Sequence, residues 1–374
     1  MKSPFIFGKV VTGNHFINRT QEIKRLSGNF QNHINSILIS PRRWGKSSLV
    51  RKTATVVNTS NSNIRFCFLD LFRIRTEDEF YKRYATEIIK STSGKLDEWI
   101  ENVKYFMGRL SPSFSFGTDP ANDFKLSFGV SSHELDVEEI LDLPEKIAKK
   151  KNIHIIVCID EFQNIGNYKE SLEFQKLLRS VWQYHQNTSY CLYGSKRHMM
   201  MELFEKQSMP FYKFGDVLFL QKIKKQHFIN FITRSFSKTG KSIDKMVSAN
   251  LIERVDTHPY FVQQLAHIIW VNTSDKVTED ILEESVNELI DQNTILYQQI
   301  VNELSNTQIN FLIALSKGEI VFNSAEVIHK YALGTSGNVT KIKKVLINKE
   351  IIDISNGSIS FLDPVFRLWF LKIF

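Results

Sequence analysis

The chain has 374 residues, which is enough for two or three domains of ordinary size. Hydrophobic residues make up 42% of it and aromatic residues 12%, which excludes a predominantly disordered protein. A formal net charge of +8 is compatible with a polyanionic partner, but nucleotide binding and plain solubility account for it equally well.

Membrane and secretion signals are not evident in the sequence. No run of about 18 apolar residues occurs, so we expect no membrane contact. The first eight residues have only a short apolar patch broken by Pro4, so we expect no signal peptide. Cys67, Cys158 and Cys191 each lie in an apolar, strand-like run, which predicts small buried residues in a reducing compartment rather than disulfides or a metal site. These features predict a cytoplasmic protein.

Short apolar runs alternate with helical patterns over the first 220 residues or so. Between the runs, apolar residues recur three and four positions apart, as in residues 172–182. This alternation predicts an α/β domain with a parallel sheet covered by helices on both faces. The predicted strands are residues 37–39, 64–71, 153–159, 190–193 and 217–220.

A β-hairpin is predicted inside this α/β region, at about residues 112–131. Residues 113–116 and 124–130 alternate apolar and polar side chains, and the turn-rich residues 118–123 separate them. The general variability of loops favours a decoration of the fold. A partner-binding element is the alternative.

The predicted elements change character after about residue 224. Helical patterns at residues 226–236, 244–255, 259–271 and 278–292 predict a small helical domain. Further helices at residues 307–315, 324–331 and 336–349 precede strands at 351–354 and 358–362, joined through Asn356-Gly357. That order predicts a C-terminal winged helix-turn-helix. The predicted domains are therefore residues 1–222, 223–296 and 297–374.

The first chemical motif lies between the strand at 37–39 and a helical run at 48–57. Its sequence, SPRRWGKS, fits the phosphate-loop pattern G-x-x-x-x-G-K-[ST], except that Ser40 replaces the first glycine. In such a loop backbone N–H groups hold phosphates, Gly45 lets the backbone approach, Lys46 reaches the β and γ phosphates and Ser47 binds Mg²⁺. The predicted nucleotide-binding residues are Ser40, Pro41, Arg42, Arg43, Trp44, Gly45, Lys46, Ser47 and Ser48.

The second motif follows the apolar strand at 153–159, whose carboxyl end carries Asp160 and Glu161. Parallel α/β sheets bind ligands at this end of their strands. We expect Asp160 to hold Mg²⁺ through water, and Glu161 to orient and deprotonate the attacking water. A strand ended by surface acids has the same pattern, but the upstream phosphate loop favours the catalytic interpretation.

A third, weaker pattern is the strand at 190–193, which is followed by Gly194-Ser195. Ser195 is a candidate sensor of the γ-phosphate. An ordinary Gly-Ser turn is the alternative interpretation.

With these motifs the chain resembles the archaeal-type AAA/STAND-related P-loop ATPase family, which is also found in bacteria and is akin to origin-recognition ATPases. The segments that carry the resemblance are FINR (16–19) with Glu22 and Leu26, PRR before Gly-Lys-Ser, DEFQ (160–163), Gly-Ser with Met199, Leu203 and Phe204, HPY (258–260) and FLDP (361–364) with Trp369. The resemblance implies an AAA-like core with a helical lid and a winged helix, and ATP and Mg²⁺ as ligands. It also implies nucleotide contacts from Asn18, Arg19 and Pro259.

The chain departs from the family pattern where an arginine would serve hydrolysis. Many relatives carry Gly-Arg where this chain has Lys213 and Phe214, so no transition-state arginine is evident and we expect slow hydrolysis. The lid stretch 258–264 contains no arginine; Arg254 lies nearby, on a helical turn that we expect to face solvent. Arg42 and Arg43 are open to three roles: phosphate contact, contact with a neighbouring subunit of an oligomer, or solvation alone.

The resemblance implies an ATP-dependent switch that couples nucleotide state, ATP or ADP, to a rearrangement of domains or of a partner, with duplex DNA as a candidate partner. Candidate DNA contacts are the polar residues on one side of the helix at 336–349, namely Thr340, Lys341, Lys344 and Asn348. A merely solvated helix face is the alternative. Two other functions remain open: a DNA-binding protein whose nucleotide site is mainly structural, and a protein-interaction switch of the defence or signalling type.

Overall fold

The structure is a computed structural model that describes residues 2–11, 13, 16–94, 98, 100–101, 104–105, 113–115, 125–127, 134–355 and 357–374. The chain forms two compact units. One comprises Arg19–Gln221, and the other combines Met1–Asn18 with Lys222–Phe374. Among the helices of the described ranges, none is both long and apolar enough to cross a membrane.

The unit Arg19–Gln221 has an α/β architecture. Its strands are β1 (Ser36–Ile39), β2 (Ile64–Asp70), β3 (Ser113–Ser115), β4 (Lys125–Ser127), β5 (His154–Asp160), β6 (Thr188–Gly194) and β7 (Asp216–Phe219). Its helices are α1 (Thr20–Gln31), α2 (Lys46–Ser60), α3 (Glu77–Thr92), α4 (Glu134–Leu141), α5 (Leu143–Lys151), α6 (Ser171–Trp182) and α7 (Arg197–Glu205), with a 3₁₀ helix at Phe162–Asn167.

The main sheet has five parallel strands in the order β2-β5-β6-β1-β7. Its inner strands are buried along almost their whole length, because helices cover both faces of a parallel sheet. The cysteines lie within this sheet, buried and with free thiols. Since β6 separates β1 from β5, the segments after these three strands emerge side by side at one edge of the sheet. The predicted α/β fold is confirmed.

The short strands β3 and β4 pair with each other in antiparallel register, from Ser113 opposite Ser127 to Ser115 opposite Lys125. They are shorter than the strands predicted from the sequence. The predicted turn at residues 118–123 lies outside the described residues.

Helices and one hairpin make up the named elements of the described part of the second unit. Its elements are α8 (Lys225–Ser237), α9 (Lys245–Arg254), α10 (Pro259–Asn272), α11 (Glu279–Asn302), α12 (Asn306–Ser316), α13 (Ala325–Lys330), α14 (Ser336–Asn348), β8 (Ile352–Ser355), β9 (Ser358–Phe361) and α15 (Pro364–Ile373). The antiparallel pair β8–β9 follows α14, as the predicted winged helix requires. Asn356, in the predicted Asn-Gly turn, lies outside the described residues.

Helix α11 extends about ten residues beyond the predicted end at residue 292. The extension is explained by Tyr297, which is buried against the rings of Phe366 and Trp369. The Tyr297 hydroxyl also donates a hydrogen bond to Asp363 Oδ2 at 3.2 Å. The lid and the winged helix therefore share one hydrophobic core, and residues 296 and 297, where the domains were predicted to divide, lie within one helix.

Helix α15 was not predicted from the sequence. It begins at Pro364 behind Asp363, whose carboxylate accepts hydrogen bonds from the Val365 and Phe366 backbone N–H groups. Both features are typical of helix N-termini. Its side chains Trp369 and Phe370 are buried in the shared core, and this packing stabilises the helix.

Candidate active site

The phosphate-loop motif turns the chain from β1 into α2. Gly45 lies at the N-cap of α2 with φ of 86°, a left-handed conformation that glycine adopts without strain. Ser40, the departure from the motif, is buried at the base of the loop, and its hydroxyl donates to the Pro41 carbonyl at 3.1 Å. The serine is therefore accommodated inside the loop, and the helix begins at Lys46 as the motif requires.

Lys46 is only 6% exposed and lies across the loop. Its Nζ donates to the carbonyl oxygen of Pro41 at 3.4 Å. A carbonyl oxygen is a weaker partner for an ammonium group than an anionic phosphate oxygen would be. The side chain is thus held close to the turn around which phosphate groups would bind.

A hydrogen bond joins the two predicted motifs. Ser47 Oγ donates to Asp160 Oδ2 at 2.5 Å, and Asp160 Oδ1 accepts from the Glu161 backbone N–H at 2.9 Å. Burial raises the pKa of Asp160 to about 6; the charge of Glu161 acts in the same direction, whereas Ser47 and Lys46 oppose it.

These two oxygen ligands fit Mg²⁺, which binds proteins through one or two carboxylates together with nucleotide phosphates and water. A dication would also favour the ionised form of Asp160. Among the described residues, no group of three or more His, Cys, Asp and Glu side chains could hold a metal ion by itself. Ser47 and Asp160 are therefore suited to a metal that arrives with its nucleotide.

Glu161 turns the chain from β5 into the 3₁₀ helix. Its φ of 53° lies in the left-handed region, which is uncommon for a residue with a side chain and recurs at functional sites. Its Oε2 accepts two hydrogen bonds, from Ser195 Oγ at 2.8 Å and from Gln163 Nε2 at 2.6 Å. The structure thus places the candidate sensor Ser195 directly against the candidate base.

Two polar residues of this edge were not recognised from the sequence as members of the site. Gln163 contacts Glu161 as described. Asp70, the last residue of β2, pairs in register with Asp160 across the sheet, and its Oδ1 accepts from the Phe72 N–H at 2.9 Å. The only signal for Asp70 was its position at the end of an apolar run, because the neighbouring strand cannot be known from the sequence.

Arg19 is 5% exposed and supports the phosphate loop. It forms an ion pair with Glu22 at 2.9 Å, donates to the carbonyl of Gln221 and lies 3.5 Å from the carbonyl oxygen of Trp44. Burial lowers the pKa of Arg19, and Glu22 opposes this effect. Asn18 and Pro259 belong to the other unit, where Pro259 begins α10. The nucleotide contacts of all three remain predictions.

Comparisons with known proteins identify the family. The model of an ATPase domain predominantly from Archaea matches residues 16–265. The chain belongs to this archaeal ATPase family. A probable winged helix domain matches residues 295–372, so the predicted family resemblance and winged helix are both confirmed.

Solved structures share the fold over nearly the whole chain. The Walker-type ATPase paby2304 of Pyrococcus abyssi is 17% identical, with 96% of each chain covered and a TM-score of 0.66. The Aeropyrum pernix ORC2 protein in its ADPNP–ADP complexes is 15% identical, with 99% of this chain and 98% of that chain covered and a TM-score of 0.59. The Aeropyrum pernix ORC1 protein in complex with DNA is 13% identical, with 100% and 98% covered and a TM-score of 0.51. No curated protein matches the chain in sequence.

At the position where the sequence resemblance predicts Gly-Arg, this chain has Lys213 and Phe214. Lys213 has φ of 55°, a conformation that glycine adopts more readily. Phe214 is 6% exposed, and the Arg179 guanidinium lies 4.9 Å from its ring centroid. This position therefore holds a packed aromatic ring instead of a cation.

The other candidate arginines also have defined surroundings. Arg254, on α9, forms an ion pair with Glu283, so its charge is engaged within its own unit. Arg42 and Arg43 are exposed on the phosphate loop. Their contacts with phosphate or with a neighbouring subunit remain predictions.

Proposed function

We propose that this protein binds ATP with Mg²⁺ at the phosphate loop and hydrolyses it slowly. The observation that carries the proposal is the hydrogen bond between Ser47 and Asp160, which lie 113 positions apart and belong to separate motifs. A phosphate loop and an acidic strand end that arose by chance would have no reason to meet. Membership of an ATPase family supports the same function.

Each side chain then has a chemical role in binding. Backbone N–H groups at the start of α2 receive phosphate oxygens, and Lys46 exchanges the Pro41 carbonyl for the β and γ phosphates. Ser47 and Asp160 hold Mg²⁺, which neutralises charge that develops on the phosphates. Arg19 stabilises the phosphate loop through its contact with the carbonyl oxygen of Trp44.

Hydrolysis needs a group that orients water and accepts its proton, and Glu161 is suited to that role. Ser195 couples this base to the nucleotide. A hydroxyl has one proton to donate, and Ser195 donates it to Glu161 at 2.8 Å in this structure. To bind a terminal phosphate oxygen, Ser195 must give up that hydrogen bond. When Ser195 binds the γ-phosphate, Glu161 therefore loses the hydrogen bond that it accepts from Ser195.

The absence of a positively charged side chain at position 214 supports slow turnover. Arginine fingers stabilise the transition state of P-loop ATPases and are worth about 10³- to 10⁵-fold in rate. Phe214 is buried and stacked under Arg179, so it offers no charge to a nucleotide. A slow ATPase serves as a switch, because the bound state persists long enough to be read by a partner.

Two measurements test the proposal together. ATP affinity is measured by fluorescence titration with and without Mg²⁺, and phosphate release is measured under single turnover. We expect Mg²⁺-dependent binding and slow release in the parent, no binding in Lys46→Ala, and binding without release in Glu161→Gln. Parent-like affinity in Lys46→Ala would refute the assignment of the phosphate loop.

For the partner, we propose duplex DNA read through α14. Its exposed side carries the polar residues predicted for this contact, and the opposite side is buried in the core. These polar residues, Thr340, Lys341, Lys344 and Asn348, are all exposed. Other nearby lysines are engaged: Lys343 lies over the Phe322 ring and Lys349 pairs with Glu303. The fold is shared with an ORC1 protein in complex with DNA.

One observation favours a different partner. Residues 352–361, which form the wing, contain no lysine or arginine and include Asp353. This wing therefore offers a phosphate backbone neutral donors such as Ser358 and Ser360, but no positive charge, which is the main source of affinity for DNA. The second candidate function is therefore an ATP-dependent switch that contacts a protein through its winged helix. A salt-dependent affinity for duplex DNA favours the first candidate, and its absence favours the second.

A further inference from the structure

We propose that Gln163 is the positioning residue that fixes the carboxylate of Glu161 for attack by water. This inference rests on the proposed function and adds to it a residue that acts through the base. Gln163 lies on the 3₁₀ helix, and its Nε2 donates to Glu161 Oε2 at 2.6 Å. The bond is short, as expected for a donor to a carboxylate.

The backbone brings the two side chains together. In an extended strand, residues two apart point to the same face but remain far from each other along the chain. Glu161 leaves β5 in the left-handed conformation, which turns the chain sharply so that Gln163 folds back over it. The uncommon φ of Glu161 thus has a consequence: it places an amide donor beside the carboxylate.

The amide of Gln163 is buried and only partly hydrogen-bonded. Gln163 is 0% exposed, and its Oε1 has no hydrogen-bond partner among the described residues. A buried amide oxygen without a partner destabilises the fold, and an apolar side chain of the same size would avoid that cost. Among the described residues, the hydrogen bond that this amide donates goes to Glu161.

The neighbouring strand holds Gln163 in this orientation. A Cβ atom at Gly194, the last residue of β6, would lie 1.9 Å from Gln163 Oε1 and 2.7 Å from Met200 Sδ. Only glycine leaves room there for the amide. Gln163 therefore packs between the backbone of Gly194 and the carboxylate of Glu161.

The two carboxylate oxygens of Glu161 have different hydrogen-bond partners. Oε2 accepts from both Gln163 and Ser195, which leaves Oε1 to accept from the attacking water. When Ser195 turns to a phosphate oxygen, the hydrogen bond from Gln163 remains. Gln163 thus keeps the base aimed during the step in which Ser195 is occupied with nucleotide.

The test replaces the amide without changing the volume greatly. In Gln163→Leu we expect kcat to fall at least about tenfold, since general bases contribute about 10²- to 10⁴-fold and depend on their orientation. KM and the ATP affinity should stay within about twofold, because the hydrogen bond of Gln163 goes to Glu161 and not to Lys46, Ser47 or Asp160. Gln163→Met removes the donor in a longer side chain and should behave in the same way, which guards against loss of folding in one variant.

Gln175 provides a matched control. It lies on α6, is equally buried, donates to Ser171 at 2.9 Å and also has an Oε1 without a partner among the described residues. Gln175→Leu should keep the parent kcat. Equal kcat in parent and both Gln163 variants would overturn the inference, as would an equal loss in Gln175→Leu. If instead Glu161→Gln hydrolyses at the parent rate, the proposed function fails, whatever the Gln163 variants do.

Discussion

Glu161→Gln separates binding from turnover more sharply than any other single change in this site. The amide keeps the size and shape of the carboxylate. Its carbonyl oxygen can still accept from Ser195 and Gln163, which in the parent donate to Oε2 at 2.8 and 2.6 Å. Turning that oxygen toward both donors places the –NH₂ group where the parent has Oε1. The variant therefore keeps its internal hydrogen bonds and presents a donor to the attacking water.

The magnitude follows from that exchange. A positioned general base contributes about 10²- to 10⁴-fold, and the amide retains none of this contribution, so single-turnover phosphate release should fall by about that factor. ATP affinity should change by less than about threefold, because Lys46, Ser47 and Asp160 keep their contacts. The assay is release of phosphate from an excess of enzyme, with affinity measured separately by titration.

The control for Glu161→Gln is Glu173→Gln. Glu173 lies exposed on α6 beside Lys176, so the same chemical change there should leave release at the parent rate. Release from Glu161→Gln at the parent rate would refute the assignment of the base. Loss of ATP binding in Glu161→Gln would show instead that this carboxylate belongs to the binding site.

The remaining predictions concern binding, DNA and stability. Lys46→Ala should abolish detectable ATP binding with an unchanged circular dichroism spectrum; near-normal affinity by titration would contradict it. Asp160→Asn should weaken ATP binding only when Mg²⁺ is present, and a loss of equal size in EDTA would argue against a metal role. Lys341→Ala combined with Lys344→Ala should weaken duplex binding for all sequences. The slope of log affinity against log salt concentration should become shallower by about two counterions, and an unchanged slope would favour a protein partner. Tyr297→Phe should lower the free energy of unfolding by about 1 kcal/mol in urea titrations, because it removes the hydroxyl bonded to Asp363; no change would mean that the bond contributes nothing.

The strands of the main sheet could be predicted to within about two residues because each is a buried apolar run between helices. For the same reason the phosphate loop, the acidic pair and Ser195 could be located, since each directly follows such a run. The apolar runs do not show the order of the strands within the sheet. Only the sheet shows that β6 lies between β1 and β5, and hence that Ser195 contacts Glu161.

The sequence did not predict features that depend on contacts formed only in the folded structure. Gln163 gave no signal of its contact, because that contact depends on the left-handed backbone of Glu161, which sequence patterns do not report. Helix α11 was predicted too short because its last turns are stabilised by α15, near the other end of the unit. Tertiary packing extended the helix beyond what its own residues favour.

The position of Ser195 bears on how the proposed ATPase activity would be controlled. The parallel sheet places its hydroxyl between the segments after β1 and β5, and its proton is already donated to Glu161. If Ser195 binds the γ-phosphate as we propose, nucleotide binding competes with this hydrogen bond, and the arrival of the γ-phosphate is coupled to the freedom of Glu161 through one hydroxyl. The absence of a positively charged side chain at position 214 would act separately, on the transition state itself. A partner could accelerate turnover by supplying that charge, without any change in the geometry of Glu161, Gln163 and Ser195.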